Sequence, residues 1–273
     1  MLAIAKDTRF RCRPKFSEVL SENHRLVIAV SHASPLSWLP AIALLCAHTA
    51  ARGGRDRKPM GVMDKFFFSL PGLKQLATHL TQTERALGFR EILESFTRGD
   101  GTDLVVFPEG SNCFFGDPSV LQPFRSPRFV ELAIEADVPI LVCAHRGSEK
   151  WGKAIEIDSD WLKSLDYLPK VVFDFLAARL KKSGLFTLPV WPAPMDRFDM
   201  LCELVPLELK TDDLSSDPAV RREQITKESE RIRARMQALL DELDGDAARA
   251  VESAELGRDV VQDKSAPGVG ADS

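Results

Sequence analysis

Three short apolar runs constrain this chain more than anything else in it. Leu26–Val30 (LVIAV), Leu104–Phe107 (LVVF) and Ile140–Ala144 (ILVCA) contain no polar residue and are rich in branched side chains. A strand with one face in water alternates apolar with polar residues, whereas unbroken runs this short belong to strands buried on both faces, as in a parallel sheet covered by helices. Helical patterns lie between them. Ser34 followed by Pro35 reads as an N-cap and first helical residue opening LSWLPAIALLCAHTAA, with Gly53 and Gly54 marking its other end. Thr81 and Glu84 have capping-box spacing and place Ala86, Phe89, Leu93 and Phe96 on one face before Gly99. Ser126 and Pro127 open a third helix carrying Phe129, Val130, Leu132, Ala133 and Ala136. The alternation predicts an α/β fold, a mostly parallel β-sheet flanked by helices.

The remaining chain is assigned around that core. Residues 1–25 read as an N-terminal segment and 26–243 as the α/β domain, with residues 244–273 as a disordered tail because they are small, charged and punctuated by Gly and Pro. An insertion is expected at about 151–200, where a basic amphipathic segment (Leu168–Lys182) meets the Pro-rich LFTLPVWPAPM. Leu201–Leu209 reads as a returning edge strand, since Pro206 is tolerable only at an edge or strand end. After Asp217 and Pro218 a helix carries Ile225, Ile232, Met236, Leu239 and Leu243 on one stripe.

Composition narrows the function classes. Lys+Arg 36 against Asp+Glu 40 gives a net charge of -4, so no global positive field draws the protein to nucleic acid. The five cysteines are scattered without C-x-x-C spacing, which predicts neither a disulfide framework nor a zinc site and fits a reducing, cytoplasmic setting. The amino end is charged from Lys6 onward, unlike a signal peptide. Trp38–Ala47 is about half of the ~20 apolar residues that a bilayer requires, and Pro40 interrupts it.

Chemistry is expected at the carboxyl ends of the strands, where open α/β sheets place ligands. His32 directly follows the first strand, and VVFPEGSNCFFG delivers Glu109, Gly110 and Ser111 from the second to the same edge. His145 and Arg146 end the third and are candidates to line the same pocket. Cys113 could pair with His32 as an acyl-thioester dyad, although cysteine is commonly a buried structural thiol, and that reading is preferred.

The order and spacing of these motifs resemble the lysophospholipid and glycerol-3-phosphate acyltransferases, over roughly residues 26–243. Ser31-His32-Ala33-Ser34 looks like that family's H-x-x-x-x-D block, Phe107-Pro108-Glu109-Gly110-Ser111 like its F-P-E-G block, and Val138–Val142 like the apolar block that follows. Asp64-Lys65-Phe66-Phe67 with Pro71-Gly72 looks like the segment between, and Arg85 is the stand-in for the Arg of the second block. The resemblance implies acyl transfer from acyl-CoA or acyl-carrier protein to a hydroxyl of a lysophospholipid or related glycerolipid, without metal, cofactor or covalent intermediate. It implies His32 as general base and Glu109, Gly110, Ser111 and Lys65 as acceptor-binding residues.

Two residues depart from the pattern: Ser37 stands where the family has Asp, and Asn112 where it has Arg. A Ser37 hydroxyl within reach of His32 would orient it without stabilising an imidazolium; loss of the orienting Asp in a serine hydrolase costs about 10⁴ in rate. Arg125 and Arg128 are the substitutes for the missing phosphate clamp, the latter in the first turn of a helix. The departures also admit a catalytically impaired relative that binds lipid or acyl-CoA, or acyl transfer to an amine. A peripheral membrane surface is the expected partner of two basic stretches, Arg52–Lys58 and Lys170–Lys182, the second beside Leu185, Phe186 and Trp191.

Overall fold

The computed structural model describes residues 4–63, 68, 73–99, 102–157, 170–190 and 194–263. In chain order the elements are β1 (Ala5–Arg13), α1 (Phe16–Glu22), β2 (Leu26–Val30), α2 (Trp38–Ala51), β3 (Pro59–Gly61), α3 (Leu73–Thr81), α4 (Phe89–Arg98) and β4 (Asp103–Val106). There follow α5 (Arg128–Glu135), β5 (Ile140–Arg146), β6 (Gly152–Glu156), α6 (Lys170–Ser183), β7 (Leu185–Pro189), β8 (Met195–Val205) and α7 (Pro218–Asp263). A six-stranded sheet has the order β1-β8-β5-β2-β4-β3. The last four strands in that order are mutually parallel, while β8 runs antiparallel to β5 and parallel to β1.

The unbroken apolar runs sort onto two faces with period two. Val27 and Ala29 of β2, with Leu104, Ile140 and Val142, pack against Phe96 of α4, Val130 and Ala133 of α5, and Ile232, Met236 and Leu239 of α7. Leu26, Ile28 and Val30, with Val105, Leu141 and Cys143, pack against Val19 of α1 and Ala41 and Leu44 of α2. Helices therefore cover both faces of the sheet, and the α/β class with a mostly parallel sheet is observed.

Several local expectations are corrected. The helix after β2 starts at Trp38, not Ser34, because Pro40 then falls in the first turn, where its missing N–H costs nothing. Thr81 closes α3 instead of opening a helix: its hydroxyl donates back to the Ala77 carbonyl, and Gln82 takes a positive φ of 58°. The capping contact lies seven residues later, where the Glu91 carboxylate accepts the Gly88 N–H at 2.8 Å. Leu201–Leu209 is not an edge strand; β8 lies between β1 and β5, and Pro206 sits just past its end.

The N-terminal segment supplies the edge instead. Thr8, Phe10 and Cys12 are half-buried, while Arg9, Arg11 and Arg13 project outward. Arg11 and Arg13 pair with Glu242, and Arg11 also with Asp246, tying α7 to the sheet edge. α7 runs through Gly245 to Asp263, where a tail from 244 was expected; this stretch is rich in Ala, Glu and Arg, which are good helix formers, and its two glycines, Gly245 and Gly257, cost only about 1 kcal/mol each. Residues 264–273 lie outside the described residues.

The excursion from the sheet spans β6, α6 and β7, and the sheet resumes at Met195, earlier than the expected limit near 200. β6 and β7 form their own antiparallel pair. Thr187 of β7 donates to the Gly116 carbonyl, and the Phe186 ring lies 5.8 Å from that of Phe115. The excursion thus packs on the loop that follows Glu109. Among the described residues no helix is long and apolar enough to cross a membrane.

Candidate functional site

The pairings Val30↔Cys143 and Ala29↔Val106 bring the carboxyl ends of β2, β4 and β5 to one edge. Beyond them come Ser31-His32, Phe107-Pro108-Glu109 and His145-Arg146. The first two are joined through Glu109, which is 1% exposed. One carboxyl oxygen accepts the His32 backbone N–H at 2.6 Å, and the other accepts the Gln122 backbone N–H at 2.7 Å. Burial pushes this carboxyl up to about 8 against those two hydrogen bonds and the nearby Arg233 and Arg146 charges. Glu109 therefore staples two strand ends, and both its oxygens are occupied by backbone.

The His32 ring lies beside Phe107, with centroids 5.0 Å apart, and its Nε2 is 3.7 Å from Cys113 Sγ. Its Nδ1 is buried without a hydrogen-bond partner. Burial pushes the ring down to about 4, although the carbonyls of Pro35 and Gly110 favour the protonated form, so the imidazole is neutral near pH 7. Ser37 does not serve that ring. Its hydroxyl accepts the Ser34 N–H at 3.2 Å and donates to the Ser34 carbonyl at 2.8 Å, closing the turn that precedes α2.

Gly110 has a φ of +52°, which favours glycine. A Cβ there would meet Arg125 Cδ at 3.2 Å, so the stem of Arg125 lies over the turn. The Arg125 backbone N–H donates to the Pro108 carbonyl at 2.8 Å, fixing that position. Ser111 follows, its hydroxyl oxygen buried without a partner. Among the described residues three buried side-chain polar atoms lack one, and two of them, His32 Nδ1 and Ser111 Oγ, belong to this edge. Buried polar atoms without a partner cost stability, so both are candidates to meet a ligand.

Other expected contributors lie elsewhere. His145 is fully buried beneath Ser31: its Nε2 is 2.8 Å from the Ser31 carbonyl, and its Nδ1 is 3.2 Å from the Ser148 hydroxyl. Burial pushes it down to about 3, so it is a neutral, satisfied support and not the lining of an open pocket. Arg146 is held in a two-pronged pair by Asp244 of α7, at 2.7 Å on each prong. Arg128 places its guanidinium over the Phe89 ring at 6.0 Å, toward α4. Arg85 is taken by Glu91 at the surface, and Asn112 donates to the Pro123 carbonyl. Lys65 and Asp64 lie outside the described residues.

Sequence reasoning missed two contributors. Gln122 acts through its backbone, which leaves no residue-type signal. Arg233 donates to the Leu121 carbonyl at 3.3 Å and sends its charge toward Glu109, but it is one of many arginines on a charged helix. An apolar cleft lies at β3, one strand beyond β4, lined by Met60, Val62, Met63, Phe68, Leu87 and Ile92. Compared with protein-family models and with curated proteins, the chain matches none.

Proposed function

We propose that this chain transfers a fatty acyl group from an acyl thioester, acyl-CoA or acyl-carrier protein, to a hydroxyl of a lysophospholipid or related glycerolipid. The observation that supports it is the convergence at one sheet edge of a neutral imidazole, His32, with the Glu109-Gly110-Ser111 turn, joined by the His32 N–H on the Glu109 carboxyl. In this reading His32 takes the proton of the acceptor hydroxyl as oxygen attacks the thioester carbonyl. The Ser111 hydroxyl, a buried donor without a partner, is the candidate to meet the developing oxyanion. Arg125, whose stem lies over Gly110, is the residue placed to meet an anionic headgroup. Lys181 and Lys182 in the last turn of α6, close in sequence to the exposed Leu188 and Val190, suit a peripheral membrane contact.

One observation favours a second reading, lipid or acyl-CoA binding without turnover: His32 Nδ1 has no partner to orient it, because Ser37 is engaged by Ser34. Free-thiol release from palmitoyl-CoA with a panel of lysolipid acceptors separates the two. Acceptor-dependent release that falls by about 10²–10⁴ in His32→Ala, the usual worth of a general base, supports the transferase. Saturable palmitoyl-CoA binding with no release from any acceptor supports the binder, and an amide in place of an ester product identifies an amine acceptor.

A further inference from the structure

We propose that Cys113 and His32 form a nucleophile–base dyad, so that the acyl group passes onto Cys113 before it reaches the acceptor. The inference deepens the acyl-transfer reading and rests on it for the identity of the donor. Cys113 sits in the tight helical turn Gly110–Phe114, and its Sγ lies 3.7 Å from His32 Nε2. That thiol is the side-chain partner the ring has, since Nδ1 is buried and makes no hydrogen bond. Nε2, the nitrogen that would take a proton, faces this sulfur nucleophile.

The surroundings suit a covalent thioester. Cys113 is 2% exposed, beneath a loop whose Phe115 packs on Phe186 and whose Gly116 is bonded by Thr187. Water excluded from this place would spare an acyl-cysteine from hydrolysis until an acceptor arrives. Burial and the nearby Glu109 push the thiol up, so it is not a standing thiolate, and its proton must leave as it attacks.

The step balances without any oxidant. The Cys113 proton moves to His32 Nε2 as the Sγ–acyl bond forms, the bond from the acyl carbon to the donor sulfur breaks, and the departing thiolate takes the proton back from the imidazolium. The acceptor hydroxyl then gives its proton to Nε2 and attacks the acyl carbon. The Sγ–acyl bond breaks, and Cys113 is reprotonated.

The test uses the full chain with radiolabelled palmitoyl-CoA and no acceptor. A burst of CoA approaching one per protein is expected, with label that survives denaturation, is released by neutral hydroxylamine and maps to the peptide holding Cys113. His32→Ala should slow the burst at least 100-fold. Cys113→Ala should remove the label, and Cys113→Ser should convert it to an oxyester that resists hydroxylamine, so the result does not hang on one variant. Acceptor-dependent transfer without protein-bound label, at the same rate in Cys113→Ala, overturns the dyad and leaves acyl transfer standing. Absence of both label and thiol release from the wild type, with every acceptor, overturns both.

Discussion

Glu109 makes stability depend on pH in the direction opposite to that of an ion-paired carboxylate. Burial raises it from 4.5 to about 8, so across that window the folded chain holds a proton the unfolded chain has lost, and stability falls as pH climbs. His32 and His145, pushed down from 6.5 to about 4 and about 3, act in the other sense. Below 6.5 the unfolded rings bind protons that the folded rings do not, and stability falls as pH drops. At 6.5 the two half-protonated unfolded rings balance one carboxyl, which places the combined maximum near 6.5, and Glu109 dominates increasingly above it as the rings lose their last protons. One proton corresponds to about 1.4 kcal/mol per pH unit. Raising the pH from 6.5 to 8 should therefore cost roughly 1 kcal/mol, because Glu109 is only half ionised at 8 and the rings regain part of the loss, or about 2–4 °C in Tm for a chain of this size. Glu109→Gln cannot titrate, and its amide NH₂ must face an N–H of His32 or Gln122, so it should be about 1–3 kcal/mol less stable at pH 6.5 and should rise slightly from there to 8 as the unfolded histidines lose their protons. Urea unfolding followed by tryptophan fluorescence at several pH values reads both slopes. Parallel slopes would mean that Glu109 is ionised in the fold, its two backbone hydrogen bonds outweighing burial, and the reasoning would fail.

Three further perturbations probe the frame that holds the site. Arg57 and Asp103, with side chains 9% and 5% exposed, form a buried pair in which Arg57 also donates to the Leu20 and Asn23 carbonyls. Arg57→Ala should cost about 3–5 kcal/mol in urea unfolding, and a loss under about 1 kcal/mol would show that water reaches Asp103. Gly147 has a φ of +110°, and a Cβ there would run into the Arg197 carbonyl; Gly147→Ala should lose about 1–3 kcal/mol or more by thermal melting, and an unchanged Tm would refute the close approach. Thr187→Val keeps the shape but leaves the Gly116 carbonyl without its donor, so a loss of about 1 kcal/mol is expected, with faster amide exchange confined to β6, β7 and the 110–118 loop. Uniform exchange would mean that this hydrogen bond does not hold the excursion down.

The sequence by itself determined the sheet class and the edge to which His32, Glu109 and His145 are delivered. Runs such as LVIAV can be satisfied only between two apolar layers, and the residues after them must then emerge together at the carboxyl ends of parallel strands. Strand β1 fell within residues read only as an N-terminal segment, and its place beside β8 had no sequence signal, because an alternation such as R-F-R-C-R names a buried face and not a neighbour. Helix starts were misplaced where a capping pattern competed with a later turn, as at Ser34 and Thr81. What tertiary structure alone decided is the partner of each site residue. Glu109 and His145 carry the residue types of catalysis yet serve the backbone, Ser37 serves Ser34, and Cys113 lies against the His32 imidazole, whose other nitrogen is buried without a partner. These are contacts between residues as many as 114 positions apart, set by how strands and loops pack. A spacing pattern fixes which residues reach the edge; their burial and remaining hydrogen-bond capacity, which decide what each can do there, exist only after the chain has closed around them.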